Sequence, residues 1–297
     1  MFNKGIVFVG CSYTWGSGLQ YYSGYNSLNN LPENTYDANK INHALYNFIC
    51  THRYSRLVAN KLGTWDAVKI ENGGSEDGSI QYLNQIFEKA NESNNTIRYT
   101  EKHQAFNYDE IGCVVYQLTD PFRNPTINLN GKELNINIAH TRLRYGQAYL
   151  NDISLFKKNL DTATFDEFFQ FYTENFNNWE EMENYFIQKN LDNIKIVFEK
   201  LESNGIKCYI HTWQNEYVSF LNSNEYFNRR WIKFNYDGKV FNSIRDLEEY
   251  NNNSFFITSD KLIVNGIEIY DDHQSLECHK IMAESISQYI LNDLNAV

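Results

Sequence analysis

Four short, mostly apolar runs separated by helical patterns constrain this chain more than any other feature. They are GIVFVG at about 5–10, DAVKIE at about 66–71, GCVVYQL at about 112–118 and IKCYIHT at about 206–212. Runs of this length read as strands. Strands that alternate with helices form a parallel sheet with right-handed crossovers, and a ligand then sits at the carboxyl ends of the strands.

The clearest helix is expected over 185–201, where Leu191, Ile194, Val197, Phe198 and Leu201 share one face and SNG at 203–205 stops it. A second runs over 275–294 with Ile281, Met282, Ile286 and Ile290. Asn-Gly or Asp-Gly steps at 130–131, 237–238 and 265–266 predict β-hairpins. The stretch from 121 to 180 is too long for a simple connection, and its aromatic-rich middle is helical. An aromatic stripe at helical spacing reads as core packing rather than as a lid or a substrate wall. Trp15, Trp179 and Trp213 read the same way. No linker and no internal repeat is evident. Residues 1–297 are therefore expected to form one domain, with an aromatic-rich insertion at about 121–180 and a hairpin insertion at about 234–268.

The formal net charge of −11, with no basic stripe, argues against a nucleic-acid partner. No apolar run approaches the roughly 18 residues of a membrane span. The strand pattern begins within a few residues of Met1, leaving no room for a signal peptide. Five scattered cysteines without a CxxC pair speak against a disulfide framework and a structural zinc site. The expected location is the cytoplasm, with release by lysis or association with a virion as the other routes. Oligomeric state is not legible.

At the end of the first run, VFVGCSYTWGSGL (7–19) breaks into small polar residues. It matches neither GxxxxGK(S/T) nor GxGxxG. A strand, a sharp turn and the Ser12 hydroxyl remain, the geometry that exposes a nucleophile. A serine needs an imidazole base, and the base needs an acceptor that fixes its tautomer. YDDHQSLECHKIMA (270–283) supplies Asp271 two residues before His273, just ahead of the last helix. The histidines at 43, 52, 103, 140, 211 and 279 lack an acid at this spacing. A metal reading on Asp271, Asp272, His273 and His279 fails, because the two histidines are six apart and no HExxH or CxxC accompanies them. No metal and no cofactor is expected.

In these blocks the chain resembles the SGNH or GDSL hydrolases. GCSYTWG is similar to the family's first block at Gly10, Ser12, Thr14 and Gly16, with Cys11 where an aspartate often stands. DDHQSLECHKIMA is similar to its last block, in the variant with acid and histidine two apart. The resemblance implies a three-layer α/β/α, flavodoxin-like sandwich with a parallel central sheet, carrying helical and β-hairpin insertions. It implies Ser12 as nucleophile, His273 as general base and Asp271 as orienting acid, with Asp272 as the fallback, and Cys11 as a small packed residue. ENGGSEDGSIQYL (71–83) stands where the oxyanion-hole glycine belongs, with Gly78 as first choice and Gly74 as second. The third block departs from the family: Thr119 replaces the asparagine, and Arg123 offers a substitute contact to the charge. The oxyanion hole would then comprise Ser12, Gly78 and Thr119. This form is similar to a divergent branch in phage and bacterial genomes. The implied activity is a serine esterase acting on small acyl esters, with O-acetyl groups on carbohydrate as the implied class, through an acyl-enzyme. An acyltransferase with the same triad and a non-catalytic glycan-binding or structural protein are the alternatives.

Overall fold

The computed structural model describes residues 4–11, 14, 16, 18–23, 43–69, 76–90, 96–98, 105–123, 126–129, 131–135, 162–252, 254–264 and 266–295. Its centre is a parallel sheet of four strands, β1 (Gly5–Val9), β2 (Asp66–Lys69), β3 (Ile111–Leu118) and β4 (Lys207–Thr212), in the order β2-β1-β3-β4. These are the four apolar runs of the sequence. Every residue of β1 is buried, as expected of a parallel strand covered on both faces. Beyond β4 the sheet gains, among the described residues, only a bridge, in which Ile210 N–H donates to Arg230 O at 2.9 Å and Ile232 N–H donates to Ile210 O at 2.8 Å.

Two helix pairs cover the sheet. Helix α1 (Tyr54–Leu62) packs on α4 (Leu276–Asn295), and α2 (Glu76–Ala90) packs on α3 (Trp179–Glu202). The arrangement is mixed α/β and compatible with a three-layer fold. Helix α3 starts six residues before the expected boundary because Asn178 caps it, its side chain accepting from Glu181 N–H. Glu180 and Glu181 add negative charge where the helix dipole favours it. At its other end, Ile206 N–H donates back to Leu201 O at 3.1 Å. The apolar face read from the sequence is the buried face.

The aromatic stretch is packed: Phe168, Phe171, Trp179 and Phe186 are buried. Phe122 joins them with its ring 4.7 Å from Trp179 and 5.8 Å from Phe186. Hairpins occupy all three Asn-Gly or Asp-Gly positions, pairing Thr126–Leu129 with Lys132–Asn135, Phe234–Tyr236 with Lys239–Phe241, and Ile263–Val264 with Ile267–Glu268. The region expected as a hairpin insertion thus holds two hairpins, with a helix, Ile244–Tyr250, between them. No helix among the described residues is long and apolar enough to cross a membrane.

Candidate active site

Because the sheet is parallel, the loops that leave its carboxyl edge converge. At the end of β1 the chain runs through Gly10, Cys11 and Thr14 to Gly16 and Gly18; Ser12 lies outside the described residues, as does Gly74. Gly18 has φ +89°, in the left-handed region that favours glycine. A Cβ there would stand 2.0 Å from Ile257 Cδ1, and 3.3 Å from both Asp271 Oδ2 and His273 Cβ. The opening turn and the loop before the last helix, more than 250 positions apart in the chain, therefore touch.

That loop is held by neighbouring main chain. Ile257 N–H donates to His273 O and Thr258 N–H to Asp271 O, each at 3.0 Å, and Ser275 N–H donates to Phe255 O at 2.7 Å. The Thr258 hydroxyl donates to Asp271 O at 2.9 Å and accepts from Asp271 N–H at 2.7 Å. On this support the Asp271 carboxylate folds over its i+2 neighbour. Its Oδ1 lies 2.5 Å from His273 Nδ1 and accepts His273 N–H at 2.9 Å. A carboxylate at Nδ1 assigns the ring proton to that nitrogen and leaves Nε2 as the basic one. The two side chains are 16% and 27% exposed, so the imidazole is reachable from outside.

Tyr22 fastens the same two loops from behind. Its hydroxyl donates to the Asp260 carboxylate and accepts from Leu276 N–H at the start of α4. Its ring packs on the cluster of Ile257, Val264 and Ile269. Burial and the Asp260 carboxylate hold the phenol far above its ordinary pKa.

At the end of β3, Thr119 is buried, and its N–H donates to Glu76 Oε1 at 2.5 Å. Glu76 opens α2, and its Oε2 accepts from Tyr116 OH at 2.5 Å. This carboxyl ties the helix start, with Gly78 in its first turn, to the strand end that carries Thr119. The main-chain donor of Thr119 is spent there, which leaves its hydroxyl, beside the same carboxyl. Burial pushes the Glu76 carboxyl up to about 7, against the pull of Tyr116 and Thr119. Asp120 accepts from Phe122 N–H at 2.9 Å and from Gln214 Nε2 at 3.2 Å, joining the ends of β3 and β4. Arg123 follows, half-buried, with its N–H on Asp120 O at 3.0 Å.

Among the described residues, the buried histidines His211 and His279 do other work. His279 Nδ1 accepts Tyr54 N–H at 3.1 Å, so its lone pair is not available to a metal shared with His273. Burial, reinforced by His273 and Arg53, pushes His279 down to about 3, and burial alone does the same to His211.

The sequence reading missed Glu76, Gln117 and Tyr22. Gln117 carried a signal, as a polar residue inside an otherwise apolar strand. Glu76 and Tyr22 carried none, since their partners lie 43 and 238 positions away. Comparison of the chain with family models, with curated proteins and with solved structures finds no match.

Proposed function

We propose that the chain is a serine ester hydrolase of the SGNH type, with Ser12 as nucleophile, His273 as base and Asp271 as orienting acid. The observation that carries this reading is the Asp271–His273 pair, seated against Gly18 of the turn that holds Ser12. The strand order β2-β1-β3-β4 supports a flavodoxin-like, three-layer core.

In the proposed reaction the Ser12 hydroxyl attacks the ester carbonyl while His273 Nε2 takes its proton. The C–O bond to the leaving alcohol breaks as the imidazolium returns that proton to it. Water then attacks the acyl-enzyme, again losing a proton to His273, and as the bond to Ser12 breaks the imidazolium returns that proton to the Ser12 oxygen and the acid departs. The oxyanion of each tetrahedral intermediate would be held by N–H groups at Ser12 and Gly78, with the Thr119 hydroxyl or Arg123 as the third donor. These residues need no cofactor or metal for this chemistry. The substrate class is small acyl esters, with O-acetyl groups on carbohydrate as the first to try.

The test is a serine-directed fluorophosphonate with intact-mass readout, followed by hydrolysis of p-nitrophenyl acetate and butyrate. One adduct, lost together with turnover in Ser12→Ala, is the expected result. A folded protein that gives neither adduct nor turnover would instead be a binding protein on this fold.

A further inference from the structure

We propose that Gln117 is a positioning residue that fixes the turn carrying Ser12, acting through Thr14; the inference rests on the hydrolase reading above. Gln117 lies on β3, next to β1 in the sheet, and is fully buried. Its Oε1 accepts from the Thr14 hydroxyl and lies 4.0 Å from Cys11 Sγ. One carbonyl oxygen thus faces the described residues on both sides of positions 12 and 13. The approach is close enough to require glycine at position 10. A Cβ there would stand 2.1 Å from Thr14 Oγ1 and 2.9 Å from Gln117 Oε1.

Thr14 is held from a second side. Its Oγ1 accepts from Tyr54 OH at 3.2 Å, and that phenol lies 3.4 Å from His211 Nε2. With the Tyr54 proton directed at Thr14, His211 donates to Tyr54. The buried chain therefore runs from β4 through α1 and the turn, and ends on Gln117.

Stability does not explain an amide at this position. Gln117 Nε2 is buried without a hydrogen-bond partner, and an unpaired buried donor is destabilising. An apolar residue of the same volume would avoid that cost. What the amide adds is one acceptor at a defined point under the turn. A nucleophile displaced by about 1 Å loses on the order of 100-fold in rate.

The experiment compares the full chain with Gln117→Met, Thr14→Val, the double variant and Thr14→Ser. It measures kcat and KM on p-nitrophenyl acetate, thermal midpoints, and the alkylation rate of Cys11 by a maleimide located by mass. We expect each single variant to lower kcat about 10- to 100-fold, with KM within about threefold. The double variant should be no worse than the weaker single one, and Thr14→Ser should recover kcat to within about threefold of wild type. The midpoint of Gln117→Met should be unchanged or raised, while Cys11 alkylation accelerates in both single variants. Retained kcat, or a loss of kcat matched by a lower midpoint in Gln117→Met, would overturn the proposal. If the wild-type chain neither turns over nor takes the fluorophosphonate, the hydrolase reading fails. The Cys11 rates then decide the clamp alone, and equal rates in all variants would sink it.

Discussion

Thr119 N–H donates to Glu76 Oε1 at 2.5 Å, across the gap between the end of β3 and the start of α2. A main-chain donor at a strand's carboxyl end would ordinarily face the ligand; here it faces a protein carboxyl. The geometry makes Glu76 the tie between the two segments that carry the proposed oxyanion donors.

Its ionisation sets the first prediction. The folded-state value near 7 stands above the 4.5 of an unperturbed glutamate. The folded chain therefore holds this proton more tightly than the unfolded one, and the associated stability is complete below about 4.5 and lost as pH rises through 7. Glu76→Gln keeps an acceptor for Thr119 but cannot ionise. Urea unfolding at pH 5 and pH 8 should show the variant gaining on wild type with rising pH, by up to roughly 3 kcal/mol at about 1.4 kcal/mol per pH unit. A difference that does not change with pH would show that Glu76 is unperturbed.

A second stability prediction concerns Asp66, the buried first residue of β2. It pairs with the Arg53 guanidinium at 3.2 Å and with Arg56 at 2.6 Å, and accepts from Ser55 Oγ at 3.0 Å. Arg53 is fully buried, so Asp66→Ala removes from the interior the carboxylate that Arg53, Arg56 and Ser55 share. The expected loss is about 3–5 kcal/mol in urea unfolding. A loss under about 1 kcal/mol would put the cluster in the class of exposed pairs.

What could be read from the sequence follows from the range of the interactions involved. Strands β1 to β4 announce themselves as apolar runs, because burial on both faces leaves few polar positions. The hairpins at Gly131, Gly238 and Gly266 announce themselves through a local backbone need, with φ +81°, +71° and +78°. The pairing of Thr96–Arg98 with Ala105–Asn107 has no such step and was missed. The helix at Ile244–Tyr250 did carry a signal, since Ser243 accepts from Asp246 N–H in a capping arrangement that Ser-x-x-Asp foreshadows. The Asp271–His273 pair was legible because its partners are two residues apart. The ties made by Glu76 and Tyr22 depend on tertiary placement and leave no local pattern, and Gln117 shows only as a polar residue in an apolar strand.

The contact of Gly18 with the Asp271–His273 loop can be separated from its backbone conformation. Gly266 has a similar φ, +78°, but a Cβ there would meet nothing within 4 Å. Gly266→Ala should cost only the backbone term, about 1 kcal/mol. Gly18→Ala adds the clash with Ile257 and crowds the dyad. It should destabilise by at least another 1–2 kcal/mol, as overpacking does, and lower the proposed esterase turnover at least about 10-fold. Equal effects at the two positions would show that Gly18 is needed for its φ alone.

In the proposed triad, substitution decides which acid orients the base. Asp271 and Asp272 are adjacent, but only the first reaches His273: its Oδ1 is 2.5 Å from Nδ1, while Asp272 is exposed. Asn at 271 keeps the size of the side chain, yet its amide can present a donor to Nδ1. The imidazole would then turn its proton toward the nucleophile and cease to act as a base. Asp271→Asn should lower kcat by about 100-fold or more, whereas Asp272→Asn should stay within about twofold of wild type. The check is a comparison of kcat for the two variants, with Ser12→Ala setting the floor. A larger loss at 272 than at 271 would transfer the orienting role to Asp272.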